Sequence, residues 1–379
     1  MNKPLEGIRV LTLEQFGAGP YGTMFLAELG AEVIKVEPPE GDPSRQVGPH
    51  KLGVDDSEYF QAWNLGKKSV TLDIKSPNGR RQFEALVKTA DCVVNNLRGT
   101  QPAKLGLDYA SLASIRPAIV CLHISAYGRT GERRDWPGYD FLMQAEAGLM
   151  ELTGEPDGPP ARVGVSMIDS MSGLVGTVGL LSCLLRARTT GKGCDVDTCL
   201  YDVAMHQLTY PGLWYLNEGD VSPRLPRSAH LSLAPVQTFP TSDGWIYIMC
   251  MTQKFWLSLC DAIGRRDLLD DPRFPDPNTR ARNRAALTEA LDPTFRTRTT
   301  DEWLAKLNGL LPAAPVYRLD RALDSDFARA SGMVSSVPHP KKGELRVLAN
   351  PIRIDGERLA QSACTSLGAD NETLLERPS

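Results

Sequence analysis

At 379 residues the chain is too long for one small domain; at roughly 100–200 residues per domain it implies two or three units with a sizeable core. Its composition, 42% hydrophobic and 23% charged with 33 glycines and 28 prolines spread along the length, excludes disorder and collagen-like repeats. A formal net charge of −4 argues against a general nucleic-acid binder, which carries a basic surplus, and leaves room for a local basic patch facing a phosphorylated small molecule.

Residues 7–14 (GIRVLTLE) alternate and are rich in branched side chains, which predicts a strand. The glycine-rich 16–22 (FGAGPYG) follows as a loop, then a helix over TMFLAEL that Gly30 would stop, then a strand at 31–37 (AEVIKVE). This β-loop-α-β unit opens a doubly wound sheet. Further strands are expected at 69–74, 90–96 and 118–125, with a helix at 78–90. Residues 139–148 read as helix and 170–186 as a long apolar one.

The pattern changes after 211. Residues 212–230 are Pro-, Gly- and charge-rich and read as a linker; 237–250 reads as a hairpin turning at Ser-Asp-Gly, with helices near 254–263, 283–290 and 300–309. The predicted fold class is α/β: a Rossmann-like doubly wound parallel sheet in a large domain (1–211), then a smaller α+β domain (231–325). Residues 326–379 are expected as a return linker and a C-terminal segment packing on the large domain.

The start, MNKPLEGIRV, has no apolar run suited to a secretory signal. The longest apolar stretch, 171–185, contains three glycines and two serines and falls short of the ~20 residues of a membrane span, so a buried helix and no membrane are expected. Eight scattered cysteines without C-x-x-C, and five histidines without ligand spacing, predict reduced thiols, a cytoplasmic location and no metal. His123, inside a predicted strand, reads as a satisfied core histidine.

Gly17-Ala18-Gly19-Pro20-Tyr21-Gly22 fits G-x-G-x-x-G between strand and helix, with Glu37 closing the second strand. That is a dinucleotide fingerprint: close backbone approach to a pyrophosphate, and an acid for a ribose hydroxyl. The plain alternative is a glycine turn with a surface glutamate. Lys67, Lys68, Lys75, Arg80, Arg81, Arg98 and Lys104 form a basic cluster, read either as phosphate neutralisation or as a solvated face. Asp169 precedes the apolar helix and by itself reads as a cap; the other reading is a carboxylate nucleophile beside helix N–H groups that stabilise an oxyanion.

The segments LEGIRVLTLEQFGAGPYGTMFLAELGAEVIKVEPPEGDPSR, NLGKKSVTLDIKSPNGR, NNLRGTQPAKLGL, ISAYGRTGERRDWPGYDFLMQAEAGLMELTG, MIDSMSGLVGTVGLLSCLLRARTTGKGCDVDTCLYD and QTFPTSDGWIYI stand in the order seen in family III CoA-transferases. Nearly the whole chain resembles this family, the CaiB/BaiF or formyl-CoA and carnitinyl-CoA transferase group. The resemblance reassigns the glycine segment to coenzyme A, which also carries a pyrophosphate. It implies Asp169 as nucleophile; CoA-contacting positions at Gly17, Ala18, Leu72, Lys75, Asn96, Leu97 and Lys104; and Tyr139 and Asp140 near the reacting centre. Many relatives carry a polar residue where Gly17 stands, a bulky aromatic at Leu97 and Arg at Lys104; Lys keeps the charge and loses the bidentate fork.

The resemblance also implies an interlocked homodimer and no cofactor beyond the acyl-CoA substrate itself. CoA would pass to a small carboxylic acid, a short dicarboxylate such as succinate, itaconate or citramalate, through aspartyl anhydride and aspartyl-CoA intermediates. The acceptor is expected near Met251-Thr252-Gln253, unless Thr252 simply caps the helix that follows. Acyl-CoA racemases of the same superfamily have histidine where Tyr139 stands in Gly138-Tyr139-Asp140. Outside it, an NAD-dependent dehydrogenase using Gly17–Gly22 and Glu37, and a non-catalytic CoA-binding protein, remain as other readings.

Overall fold

The computed structural model describes residues 3–375. Six short strands form one sheet: β1 (Arg9–Leu13), β2 (Glu32–Glu37), β3 (Lys68–Thr71), β4 (Cys92–Asn95), β5 (Val120–Ser125) and β6 (Cys194–Cys199). Every pairing is parallel and the order is β3-β2-β1-β4-β5-β6, the doubly wound topology expected. The strands other than β6 carry buried side chains on both faces because helices cover both sides. The helices are α1 (Ala18–Glu28), α2 (Glu58–Asn64), α3 (Pro77–Val87), α4 (Gln101–Lys104), α5 (Tyr109–Leu112), α6 (Asp140–Glu146), α7 (Met167–Thr190) and α8 (Leu200–His206).

Three differences from the sequence reading have physical causes. The glycine stretch is mostly helix: only Phe16, at φ 60°, and Gly17 make the turn before Ala18. Strand β6 escapes the sequence pattern because it is an edge strand with alternate acidic residues, which Arg129 and His123 engage. Helix α7 spans 24 residues, longer than its apolar stretch, and ends at Gly191 in the left-handed region. By length and composition it is apolar enough to cross a membrane, yet it packs on α1, β5 and β6 as a sheet-covering helix.

The α1–α7 contact is close because it is built from glycines. A methyl on Gly173 would lie 2.4 Å from the Ala18 carbonyl, and one on Gly22 would lie 2.4 Å from the Gly173 carbonyl. The loops after β1 and β2 are held from inside by buried ion pairs: Lys67 with Glu14 (2.8 Å), Lys35 with Asp42 (2.8 Å) and Arg45 with Glu37 (2.8 Å). Each cation has its anion, which keeps the desolvation penalty tolerable.

The structure divides the chain differently from the expected 1–211 and 231–325. One unit comprises residues up to 147, 164–208 and those from 326 on; the other comprises 148–163 and 209–325. Within the second, Arg224 donates to the Gly158 carbonyl (3.0 Å) and the Arg227 backbone to Glu155 (2.8 Å). These contacts, made from the segment expected as a linker, recruit 148–163, and no local pattern reveals them. That segment also begins inside helix α9 (Thr209–Glu218). The second unit has an antiparallel sheet of β7 (Val236–Pro240), β8 (Trp245–Met249) and β9 (Ala313–Pro315). Helices α10 (Gln253–Ile263), α11 (Pro277–Arg282), α12 (Arg284–Phe295) and α13 (Thr300–Leu307) supply the rest of a core around Phe239, Trp256, Phe295 and Trp303.

In the first unit the returning chain makes a hairpin, β10 (Val334–His339) with β11 (Gly343–Leu348), and then binds the edge of β3. The backbone N–H of Thr365 donates to the Lys67 carbonyl and that of Asp370 to the Ser69 carbonyl. Gly173→Ala should destabilise the protein by about 1–3 kcal/mol, because the added methyl meets backbone rather than a movable side chain. Gly164→Ala, whose methyl would enter open space, is the neutral control; equal denaturation midpoints for the two would refute the close-contact argument.

Candidate active site

Strand order reverses between β1 and β4, so the loops leaving these strands diverge and open a crevice at their C-terminal ends. Asn96 ties the two loops together: its Oδ1 accepts from the Gln15 backbone (2.9 Å) and its Nδ2 donates to the Gln15 carbonyl (2.6 Å). The crevice holds a cavity of about 330 Å³ whose wall includes Gly17, Ala18, Asn96, Leu97, Tyr139 and Asp169. Residues far apart in sequence thus meet at one place.

Packing brings Asp169 there. The Gly22–Gly173 contact sets the separation of α1 and α7, so Gly17 at the head of α1 faces Asp169 in the first turn of α7. A methyl on Gly17 would lie 2.5 Å from Asp169 Oδ2, so a side chain there would have to turn the carboxylate away from its present position. This is a use for the first glycine of the fingerprint that spacing alone does not show.

Asp169 is not the helix cap. Ser166 holds that position, and the Asp169 backbone N–H donates to Asp140 Oδ2 (2.8 Å). Asp140 is buried at the head of α6, where Gln144 Nε2 donates to its other oxygen (2.5 Å). Among the described residues no cation or hydrogen-bond donor pairs with the Asp169 carboxylate. Burial first, and the neighbouring Asp140 charge second, push it up to about 7. An unpaired carboxylate that titrates near neutrality in a cavity has the signature of a reacting group rather than a structural one.

Leu72 and Lys75 line an adjoining cavity of about 470 Å³, which shares Gln15 and Leu97 with the first. Lys104 lines a third, of about 530 Å³, with Arg129. Asp140 stands behind Asp169 rather than on the wall. The basic cluster separates. Lys67, Lys68 and Arg80 are spent on Glu14, Glu32 and Glu84, whereas Arg98 lies on the wall of the Asp169 cavity without a hydrogen-bond or ion-pair partner among the described residues. Sequence reasoning leaves Arg98 among the surface cations because the carboxylates that occupy the others come from distant elements.

One expectation is corrected. Glu37 cannot serve a ribose hydroxyl: it is buried, forked by Arg45 through Nε and Nη2 (both 2.8 Å) and bonded by the Ser69 hydroxyl (2.6 Å). Thr252 caps α10 by accepting from the Phe255 backbone, the plain alternative for that tripeptide, and Gln253 is engaged by Arg280 (2.9 Å) and the Pro275 carbonyl (3.1 Å). His123 is a satisfied core histidine, between Asn95 Nδ2 and Asp195 Oδ1 at 2.9 Å each. Among the described residues no group of three His, Cys, Asp or Glu could hold a metal ion.

The CoA-transferase family III model matches residues 5–371, and the chain belongs to that family. It is 34% identical over 95% of its length to the succinyl-CoA:glutarate CoA-transferase of Mus musculus, covering 83% of that protein. It is 36% identical over 99% of its length to a probable fatty acyl-CoA transferase of Mycobacterium tuberculosis, covering 98% of it. The crystal structure of a CAIB/BAIF family protein from Brucella suis superposes with a TM-score of 0.87 at 34% identity, covering 99% of each chain. The protein is therefore a family III CoA-transferase, which removes the dehydrogenase and the non-catalytic readings.

The raised Asp169 value has a consequence for stability. The folded carboxyl titrates near 7 and an unfolded one near 3.9, so the folded form binds the extra proton between them, and the charged group opposes folding as pH rises through that window. Asp169→Asn should unfold at a higher temperature than the parent at pH 8, with the difference vanishing towards pH 4. A difference that stays flat between these pH values would contradict the assignment.

Proposed function

We propose that the protein moves CoA from an acyl-CoA thioester to a small carboxylic acid with Asp169 as nucleophile. The observation that carries the reading is the Asp169 carboxylate: unpaired, half-buried, held near neutral and set between the first turns of α1 and α7. Its oxygen attacks the donor thioester carbonyl and expels CoA thiolate, leaving an acyl-aspartyl anhydride. The thiolate attacks the aspartyl carbonyl and releases the donor acid, leaving an aspartyl-CoA thioester. The acceptor carboxylate attacks that carbonyl and frees the thiolate again, and the thiolate then takes the acceptor acyl group and restores Asp169. Each carbonyl attack generates an oxyanion, and the N–H groups opening α1, at Ala18 and Gly19, would donate to it.

Gly17, Ala18, Asn96 and Leu97 would guide the thioester end of CoA, while Leu72 and Lys75 would take its far end in the adjoining cavity; Lys104 lies outside both and would act at longer range. No histidine lines the Asp169 cavity and Tyr139 stands at the position that separates transferases from racemases, which supports transfer. The acceptor is a short dicarboxylate. In support, the cavity is small, its wall carries Gln15, Asn96, Arg98, Gln101 and Ser125, and the murine relative is named for glutarate.

We also propose that the working form is an interlocked homodimer. In the first unit the outer face of α7 exposes Val175, Val178 and Leu185; in the second, α9 buries none of its residues and exposes Leu213, Tyr215 and Leu216. Apolar faces of this kind call for a partner, and a second copy fits the family.

Asp169→Asn should fold and lose on the order of 10³-fold or more in turnover, since an amide is a far weaker nucleophile. Hydroxylamine added with donor should modify Asp169 in the parent; brisk turnover by the folded variant would sink the mechanism. With one donor, succinate, itaconate, citramalate and glutarate should out-compete butyrate and hexanoate. Preference for the monocarboxylates would overturn the acceptor and leave the transferase intact. Tagged and untagged protein, mixed under native conditions, should form no hybrids within hours; rapid hybrids would rule out threading.

A further inference from the structure

The segment from 126 to 139, between β5 and α6, runs without helix or strand, yet it builds one wall of the Asp169 cavity through Ala126, Pro137, Gly138 and Tyr139. Irregular segments of this length need side-chain ties to hold one conformation. At its base the Tyr201 backbone of α8 donates to the Ala126 carbonyl (3.1 Å). Midway, Gly99 donates to the Arg134 carbonyl (3.0 Å), and the Thr100 hydroxyl to Asp135 (2.6 Å).

The strongest tie is Arg133. Its guanidinium lies 3.9 Å from the centre of the Tyr127 ring, 4.6 Å from that of Trp136 and 6.0 Å from that of Tyr201. The open side is closed by Glu146 at the end of α6: Nη1 pairs with Oε1, Nη2 with Oε2 (2.9 Å), and the Tyr127 hydroxyl donates to the same Oε2 (2.9 Å). An isolated surface ion pair contributes little, but here a bidentate fork and three rings converge on one cation. The cluster joins the irregular segment, α6 and α8. Helix α6 begins with Asp140, the residue that accepts the Asp169 backbone N–H.

We propose that Arg133 is a positioning residue for CoA transfer: the aromatic box and Glu146 fix it, and through it the 126–139 segment keeps Tyr139 and Asp140 in place around Asp169. Arg133 lines none of the three cavities and touches no reacting atom; it acts through the wall it holds. The inference rests on Asp169 as the nucleophile. The box also demands arginine, because an ammonium has neither the planar face for the rings nor the fork for Glu146.

The test uses Arg133→Ala and Arg133→Lys in the full-length protein. Turnover should fall ~10- to 100-fold in both, the loss expected for a wall displaced by about an ångström. The dissociation constant for CoA, read by calorimetry, should stay within about twofold, because the 470 Å³ cavity lies away from the segment. Methylguanidinium, but not methylammonium, should restore part of the turnover of Arg133→Ala. If that variant fails to fold, Glu146→Gln, which keeps the shape and loses the charge, should show the same split. Unchanged turnover in the Arg133 variants, with Asp169→Asn inactive, would overturn the positioning role alone. CoA affinity falling in step with turnover, or rescue by both cations alike, would overturn it too. An active Asp169→Asn would instead remove the mechanism on which it rests.

Discussion

The site depends on how closely two helices approach. Helix α7 crosses α1 at Gly22 and Gly173, where either methyl would meet backbone at 2.4 Å. That contact fixes where the first turn of α7 falls, and Asp169 is in that turn. Its carboxylate lands directly against the Gly17 Cα, where a methyl would meet it at 2.5 Å. The approach of α7 thus sets the burial and the nearness to Asp140 that raise the Asp169 carboxyl.

The charges around the site divide into those that build it and those left to act. Lys35, Lys67 and Arg45 are deeply buried, and each is matched by a carboxylate at the end of β2 or in the loops after β1 and β2. Such pairs add little net stability but leave the loops one arrangement, since breaking any pair strands a buried charge. Asp169 and Arg98 sit on the cavity wall outside this network. On the proposed reading they are the charges nearest the chemistry, Asp169 as nucleophile and Arg98 as counter-ion for an anionic group, with Lys75 on the wall of the adjoining cavity.

The fingerprint Gly17–Gly22 shows how one pattern serves different chemistry. Its three glycines have ordinary negative φ values and lie at the turn and within α1, so conformational freedom is not why they are there. Gly17 admits Asp169, Gly19 clears Glu14, and Gly22 admits α7. A glycine needed for close approach and one needed for a phosphate loop look the same in one sequence. The acid that would have decided for a nucleotide ribose, Glu37, is consumed by Arg45.

The sequence by itself determined the strands β1 to β5, the α/β class and, through the order of its segments, the family and Asp169 as the residue to watch. Period and composition are local, and the parallel strands are buried on both faces, so their patterns survive without knowledge of neighbours. The tertiary structure decided the rest. It placed β6, whose aspartates look exposed until Arg129 and His123 are beside them, and it gave 148–163 to the second unit through Arg224 and Arg227. It placed Arg98 alone of the seven similar cations on the wall of the Asp169 cavity, put Thr252 at the head of α10 as its cap, and gathered Tyr127, Trp136 and Tyr201 around Arg133. These are facts about which charge or ring finds a partner across tens or hundreds of residues, and pairing at that range leaves no trace in local spacing.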